Sequence, residues 1–312
     1  MSNPKTDVEN HVRVQSAFEM NIKANHVFIT VVLVFVLTAG ALTMFLTSIK
    51  VKTDTNKMTL PSIDDVPKEC WAKLAEKRIF FGHKSVGSNI IEGINDIIDE
   101  REYIRLNIVQ TDNCKDFDQP IFAHSSVGRN TEPASKMKSF RSIMDAGIGK
   151  KVDIAFFKFC FVDITRDSDP REILDNYRAL MEDMKVRYPQ ARFLHATVPL
   201  CSVPRGVKRP LKECAKLLIG RPRIMTLDDN IMRQRYNTLL RDAYSQTQHV
   251  FDLALIESVN PDGFRCYATK GTEKVFVMVP EYTDDGGHLN EEGRKKIAEQ
   301  LLIILAEVAN KL

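Results

Sequence analysis

The sequence lacks the short motifs that identify many nucleotide-binding, zinc-dependent and dinucleotide-binding enzymes. It contains no Gly-x-x-x-x-Gly-Lys-Ser/Thr phosphate loop, no His-Glu-x-x-His pair and no Gly-x-Gly-x-x-Gly turn. We therefore expect neither a cofactor nor a metal ion. A Gly-x-Ser-x-Gly elbow is also missing, which argues against enzymes that carry their nucleophile on that type of turn.

The chain also has little net charge and no paired cysteine motif. Its 44 lysine and arginine residues nearly balance 41 aspartate and glutamate residues, for a formal net charge of +3. This balance gives no reason to expect a nucleic acid as partner. The 6 cysteines contain no Cys-x-x-Cys pair, which argues against a zinc site or a thioredoxin-like redox motif.

One long hydrophobic run lies near the N-terminus, at residues 27–47. At about 1.5 Å per residue in a helix, this uncharged run is long enough to cross the hydrocarbon of a bilayer. Its only Ala-x-Ala lies inside the run, so an uncleaved anchor is favoured over a cleaved signal peptide. We predict a tail (1–26), a transmembrane helix (27–47), a polar linker (48–66) and a folded domain (67–312).

Within the folded domain, short apolar runs alternate with amphipathic stretches. We predict strands at 78–81, 104–109, 152–159, 192–197 and 249–253, and helices at 86–98, 135–144, 171–187, 229–244 and 291–310. Such alternation indicates an α/β fold with a mostly parallel sheet covered by helices. Ligands then bind beyond the carboxyl ends of the strands, so we expect chemistry there.

Ser85 lies at the first of these strand ends, in the segment Gly82-His83-Lys84-Ser85. A serine at a strand-to-helix turn has its hydroxyl near backbone N–H groups that can stabilise an oxyanion. Ser85 is therefore a candidate nucleophile. The alternative is that Ser85 only caps the helix, a role that serine often has.

The segment Asp285-Gly-Gly-His288 lies directly before the last predicted helix. A catalytic histidine needs a carboxylate that holds its tautomer and stabilises its charged form. A short glycine loop lets one segment offer both groups, so we predict that Asp285 orients His288. A glycine turn with Asn290 as helix cap is the alternative role of this segment, and it is compatible with the catalytic role.

With these motifs the sequence resembles the SGNH (GDSL-like) hydrolase superfamily from about residue 78 to residue 312. In that family a serine follows the first strand and an Asp-x-x-His motif precedes the last helix. The resemblance implies a three-layer α/β/α sandwich with a mostly parallel five-stranded sheet, of the SGNH/flavodoxin-like type. It also implies that Ser85 attacks, His288 acts as general base and Asp285 orients His288.

The first family block differs in this chain. The family has Gly-Asp-Ser, whereas this sequence has one more residue between Gly82 and Ser85. An alignment without a gap would place Lys84 at the position of the serine. We prefer Ser85 because it opens the predicted helix and has Gly87 beside it.

The oxyanion asparagine of the family motif Gly-x-Asn-Asp is missing after the third strand, where this chain has Lys158 and Cys160. Residues 124–130 resemble the family's second block, a glycine-bearing loop after the second strand. By that resemblance Gly128 would donate a backbone N–H and Asn130 would supply the amide instead, although turn chemistry alone would explain both residues. Lys158 would shape the substrate pocket and, if buried, would need a partner such as Asp163. Cys160 is the alternative nucleophile.

Together these features predict a membrane-anchored serine esterase that removes ester-linked acyl groups from a carbohydrate or lipid. The alternative is a non-catalytic domain of the same fold that binds a glycan or another partner. Lysines after residues 27–47 favour a cytoplasmic domain by the positive-inside rule. The family is often exported, and on that ground we expect the domain to be extracytoplasmic.

Overall fold

The computed structural model describes residues 50–203 and 226–312. The predicted tail (1–26) and transmembrane helix (27–47) lie outside these residues and stay predictions. Within the two described ranges, no helix has the length and apolarity needed to cross a membrane.

A parallel sheet forms the centre of the domain. Its strands in spatial order are β3 (Ile108–Gln110), β4 (Ile121–Ser126), β2 (Arg78–His83), β5 (Ile154–Phe157) and β6 (Arg192–Phe193). After β6 the chain continues as β7 (His195–Ala196), which pairs in parallel with β8 (Val250–Phe251). Because neighbouring strands are parallel, their carboxyl ends lie along one edge of the sheet.

Helices cover both faces of this sheet, as expected for three α/β/α layers. The described helices are α1 (Lys68–Ala75), α2 (Ser85–Glu100), α3 (Pro133–Asp145), α4 (Pro170–Arg187), α5 (Leu227–Tyr244), α6 (Leu253–Ser258) and α7 (Glu291–Asn310). Helices α2 and α7 bury their apolar residues in one core, and α3 and α4 bury theirs in the other. The sequence prediction of an α/β fold with a parallel sheet is confirmed.

Strand β2 shows how the two cores are separated. Ile79 and Phe81 point into the core that includes α2 and α7, whereas Phe80 between them points into the core that includes α3 and α4. Phe81 stacks on Phe156 of β5 with 4.5 Å between ring centroids. Each fully buried apolar side chain of this kind contributes roughly 1.5–3 kcal/mol, so β2 stabilises both layers.

Helices α2 and α7 pack closely against each other. The apolar side chains Ile90, Ile94 and Ile97 recur at helical spacing on α2 and are buried. Gly93 lies at the contact, where an added Cβ atom would come within 2.3 Å of the Arg294 carbonyl oxygen. The absence of a side chain at Gly93 therefore sets the distance between the two helices.

A second, antiparallel sheet was not expected from the sequence. Strand β1 (Lys52–Lys57) pairs with β9 (Phe264–Lys270), which in turn pairs with β10 (Glu273–Phe276). Strand β1 falls inside the predicted linker 48–66, so ordered structure begins before residue 67. The strand has the sequence Lys-Thr-Asp-Thr-Asn-Lys, which lacks the alternation of apolar residues that marks a strand. Its backbone pairing with β9 defines it instead.

Substitution Gly93→Ala tests the α2–α7 contact. Alanine normally stabilises a helix relative to glycine by about 1 kcal/mol, but the clash with the Arg294 carbonyl should reverse the sign. We expect a loss of about 1–3 kcal/mol in the free energy of unfolding, measured by urea denaturation. Ser88→Ala, at an exposed site on the same helix, is the matched control and should be neutral or slightly stabilising. An unchanged or higher stability of Gly93→Ala would contradict the close contact.

Candidate active site

Ser85 lies where strand β2 passes into helix α2. The strand ends at His83, Lys84 is the cap residue with extended backbone, and Ser85 is the first helical residue. The Lys84 carbonyl accepts hydrogen bonds from the N–H groups of Gly87 (2.7 Å) and Ser88 (3.1 Å). Ser85 is therefore not the capping residue, and its side chain is exposed at the carboxyl edge of the sheet.

A chain of two hydrogen bonds joins Ser85, His288 and Asp285. The Ser85 Oγ lies 2.9 Å from His288 Nε2, although the two residues are 203 positions apart in the sequence. On the other side of the ring, His288 Nδ1 lies 2.6 Å from Asp285 Oδ2. Because an ionised carboxylate only accepts hydrogen bonds, Nδ1 carries the proton and Nε2 accepts from the Ser85 hydroxyl. The Ser85 hydroxyl and the imidazole thus meet as the sequence predicted.

The turn before α7 fixes the Asp285 carboxylate. Its Oδ1 accepts hydrogen bonds from the backbone N–H groups of Gly287 (2.9 Å) and His288 (2.8 Å). Gly286 has a φ of +89°, a conformation that favours glycine, and its N–H donates to Thr283 Oγ1. Burial alone would raise the pKa of Asp285, but these hydrogen bonds and the His288 ring hold it well below its usual value. Asp285 is therefore a stable anion beside His288.

Phe161 supports the other side of the imidazole. Its ring meets the His288 ring edge to face, with centroids 5.7 Å apart. The fully buried Arg233 donates from Nε to the carbonyl oxygens of Phe161 (2.8 Å) and Ile164 (3.1 Å). Arg233 therefore holds the segment that carries Phe161. This role could not be predicted from the sequence, since nothing local to Arg233 indicates that it is buried.

Asp163 joins the loops that follow β4 and β5. Its Oδ1 accepts from the Thr131 N–H (2.8 Å), and its Oδ2 accepts from the Cys160 N–H (2.6 Å). Oδ2 also forms an ion pair with the Lys136 ammonium, and both of these side chains are fully buried. The loop with Thr131 comes after β4 and that with Cys160 after β5, so one carboxylate ties the two loops together.

Gly128 and Asn130 lie in the first of these loops. Gly128 has a φ of +52°, and an added Cβ atom would lie 2.5 Å from the Lys136 backbone nitrogen, so only glycine fits there. The Asn130 side-chain oxygen accepts from Lys136 Nζ at 3.1 Å. Among the described contacts, none joins Gly128 or Asn130 directly to Ser85. Their proposed oxyanion roles stay predictions.

Lys158 and Cys160 are both buried. The Lys158 ammonium makes one long hydrogen bond, 3.4 Å to the Phe159 carbonyl, and desolvation lowers its pKa. Asp163, suggested by the sequence as its partner, instead pairs with Lys136. Lys136 could not be predicted as this partner from the sequence, because an isolated lysine in a helix is usually solvated.

Two histidines form a further pair next to Ser85. His83 donates from Nδ1 to the Lys84 carbonyl (2.9 Å), and its Nε2 lies 2.9 Å from His124 Nδ1. Since the first contact places the proton on Nδ1, Nε2 of neutral His83 accepts from His124. Burial, followed by nearby positive charges, lowers the pKa of His83 to about 4. His83 is therefore neutral at physiological pH.

No family model and no curated protein matches this sequence. Solved structures do match. The C-terminal catalytic domain of peptidoglycan O-acetyltransferase A from Streptococcus pneumoniae is 9% identical, with a TM-score of 0.40, over 76% of this chain and 96% of that one. The periplasmic domain of a lipopolysaccharide acetyltransferase from Salmonella ser. Paratyphi A is 12% identical, with a TM-score of 0.41, over 72% and 82%. A candidate GDSL-like lipase from Parabacteroides merdae is 11% identical, with a TM-score of 0.40, over 75% and 96%.

Substitution Lys136→Met tests the buried ion pair. It leaves the Asp163 carboxylate buried without its cation, which should lower the free energy of unfolding by about 3–5 kcal/mol. Lys138→Met, at an exposed site two positions further along α3, is the matched control and should change stability by less than about 0.5 kcal/mol. Equal urea midpoints for the two variants would contradict a stabilising role of this pair.

The low pKa of His83 predicts how stability depends on pH. In the unfolded chain a histidine has a pKa of about 6.5, so between that pH and about 4 the unfolded state binds more protons. Stability should therefore fall as the pH decreases through this window, by up to about 3 kcal/mol from His83. His83→Gln should show a smaller fall between pH 7 and pH 4.5, with His195 accounting for part of the remainder because burial also lowers its pKa to about 4. Identical profiles for the two proteins would refute the assignment.

Proposed function

We propose that this chain is an SGNH (GDSL-like) serine esterase, an acyl hydrolase anchored in a membrane by residues 27–47. The observation that carries the proposal is the hydrogen-bonded chain from Ser85 Oγ through His288 to Asp285. A hydroxyl, an imidazole and a carboxylate in this order are what nucleophilic catalysis by serine requires. The order of the elements along the chain supports the family assignment.

In this mechanism Ser85 Oγ attacks the carbonyl carbon of an ester, and its proton passes to His288 Nε2. Asp285 stabilises the imidazolium that forms, because it is ionised and accepts the Nδ1 proton in a hydrogen bond. The tetrahedral intermediate then collapses, and His288 returns the proton to the departing alcohol. Water, deprotonated by His288, attacks the acyl-serine and releases the carboxylic acid together with free Ser85.

The oxyanion of the tetrahedral intermediate must accept hydrogen bonds, and candidate donors lie at the start of α2. The N–H groups of Ser85 and Val86 form no hydrogen bond within the described residues and lie at the positive end of the helix dipole. Asn130 presents its side-chain oxygen to Lys136, which leaves the amide N–H groups to face away from the lysine. We propose that these N–H groups and that of Gly128 complete the oxyanion site.

The proposed substrate is an acylated carbohydrate or lipid. This proposal rests on the predicted anchor at residues 27–47, which would hold the domain beside a membrane surface, with the domain on the extracytoplasmic side. The alternative is a non-catalytic domain that binds a glycan or partner. It is motivated by the altered Gly-Asp-Ser block and by the missing asparagine near Lys158.

A fluorophosphonate probe separates an esterase from a binding domain. We expect the wild-type chain to be labelled on Ser85, with labelling abolished in Ser85→Ala and strongly reduced in His288→Ala. Ser88→Ala, one helical turn along α2, is the matched control and should label like wild type. A folded wild-type chain that takes up no label would favour the binding domain, and activity that survives Ser85→Ala but is lost with iodoacetamide would favour Cys160.

The Asp285→Asn variant tests the role of the carboxylate. An amide can donate to Nδ1 and would favour the wrong tautomer of His288, so kcat for a p-nitrophenyl ester should fall by about 10⁴-fold. KM should change little, because Asp285 faces the imidazole rather than the substrate. An effect confined to KM would contradict the mechanism. A thermal melt checks that the variant folds.

A further inference from the structure

A cavity of about 510 Å³ lies at the edge of the sheet opposite to the edge that carries Ser85. It is lined by Ala191 and Arg192, at the start of β6, and by Gln248 and His249, directly before β8. These residues mark the amino ends of parallel strands, whereas Ser85 follows the carboxyl end of β2. We call this space the basal cavity. It is separate from the candidate active site.

The charged lining of the basal cavity is of one sign. Its wall carries three cationic side chains, those of Lys185, Arg192 and Lys311, and no acidic one. His249 is a fourth basic side chain there, but desolvation lowers its pKa, so it is neutral at physiological pH. Within the described residues, none of the four forms an ion pair with a carboxylate. Glu182 and Glu307 act on Lys185 and His249 only at longer range. Clustered positive charges repel one another, and a bound anion would remove that repulsion.

One of these groups, Lys185, is held at the wall rather than free in solvent. Lys185 Nζ lies 5.6 Å from the centroid of the Tyr244 ring, and Tyr244 in turn stacks on His195 at 3.6 Å. Lys185 is partly buried, and desolvation lowers its pKa. A partly desolvated cation gains more from an anionic partner than a cation in open water does. The wall is therefore preorganised for an anion.

Most of the remaining lining of the basal cavity is apolar, with Thr247 and Gln248 as its uncharged polar residues. Pro189, Phe193, Leu194 and Val308 contribute to its lining. Pockets for small ligands are mostly apolar with a few placed polar groups and span roughly 300–1,000 Å³, and the basal cavity fits this description. A ligand with an anionic head and an apolar substituent would contact both the cationic and the apolar side chains of the wall.

We propose that the basal cavity binds a phosphate monoester that carries an apolar group. A phosphate dianion matches several cations, and the Arg192 guanidinium can donate two parallel hydrogen bonds to it. The apolar substituent would lie against Phe193 and Val308. The proposal goes beyond the esterase reaction and does not depend on it.

Isothermal titration of the full chain in detergent with butyl phosphate tests the proposal. We expect saturable binding that is tighter than binding of inorganic phosphate and absent for butanol. Arg192→Gln and Lys311→Gln should each weaken binding by about tenfold, because each variant loses one charge-assisted hydrogen bond to the phosphate. Both side chains belong to exposed residues, so the variants should fold, and thermal melts check this.

Lys138→Gln removes an exposed charge from α3, outside the basal cavity, and should leave binding unchanged. Ser85→Ala should also bind butyl phosphate as wild type does, which separates this result from any failure of the esterase proposal. The same titration with phosphatidic acid in mixed micelles shows whether the bound phosphate monoester is a lipid headgroup or a soluble ester. Tighter binding of phosphatidic acid than of butyl phosphate would indicate the lipid. No saturable binding, or equal weakening by Lys138→Gln and Arg192→Gln, would overturn the proposal.

Discussion

The candidate active site depends on the close packing of α2 against α7. Ser85 is the first residue of α2, and His288 lies just before the first turn of α7. Because both helices begin at the same edge of the sheet, their separation at Gly93 sets the distance between hydroxyl and imidazole. A contact between the middle of α2 and the first turn of α7 thus helps to set a hydrogen bond of 2.9 Å near the start of both helices. Such a site is built on rigid elements rather than on free loops.

A buried network of charges arranges the other side of the site. Asp163 binds the loops after β4 and β5 through two backbone N–H groups, and Lys136 neutralises it. Arg233 holds the carbonyl of Phe161, whose ring supports His288. Removing these charged groups from water is costly, so they need the partners that the structure provides. They act by positioning loops rather than by touching a substrate.

Much of the local structure could be predicted. The last helix was expected at 291–310 and is found at Glu291–Asn310, with Asn290 capping it through a 3.0 Å bond to the Gly293 N–H. Other elements could not be placed in this way. The strand expected at 104–109 is observed at Ile108–Gln110. Ile104 made the apolar run look longer than the strand, but it is buried in the core as part of the preceding loop. Strand β1 has no apolar residues and forms only through its partner β9.

The sequence by itself determined the features that arise between near neighbours. The turn from Asp285 to His288 spans three positions, so the hydrogen bonds between its carboxylate and the histidine are local in the sequence. The meeting of Ser85 and His288 could be predicted only through the family resemblance, and it was tertiary structure that decided that Asp163 pairs with Lys136 rather than Lys158. These partners are distant in the chain, and only the packing of strands and helices brings them together. Local sequence patterns do not indicate which residues distant in the chain come into contact.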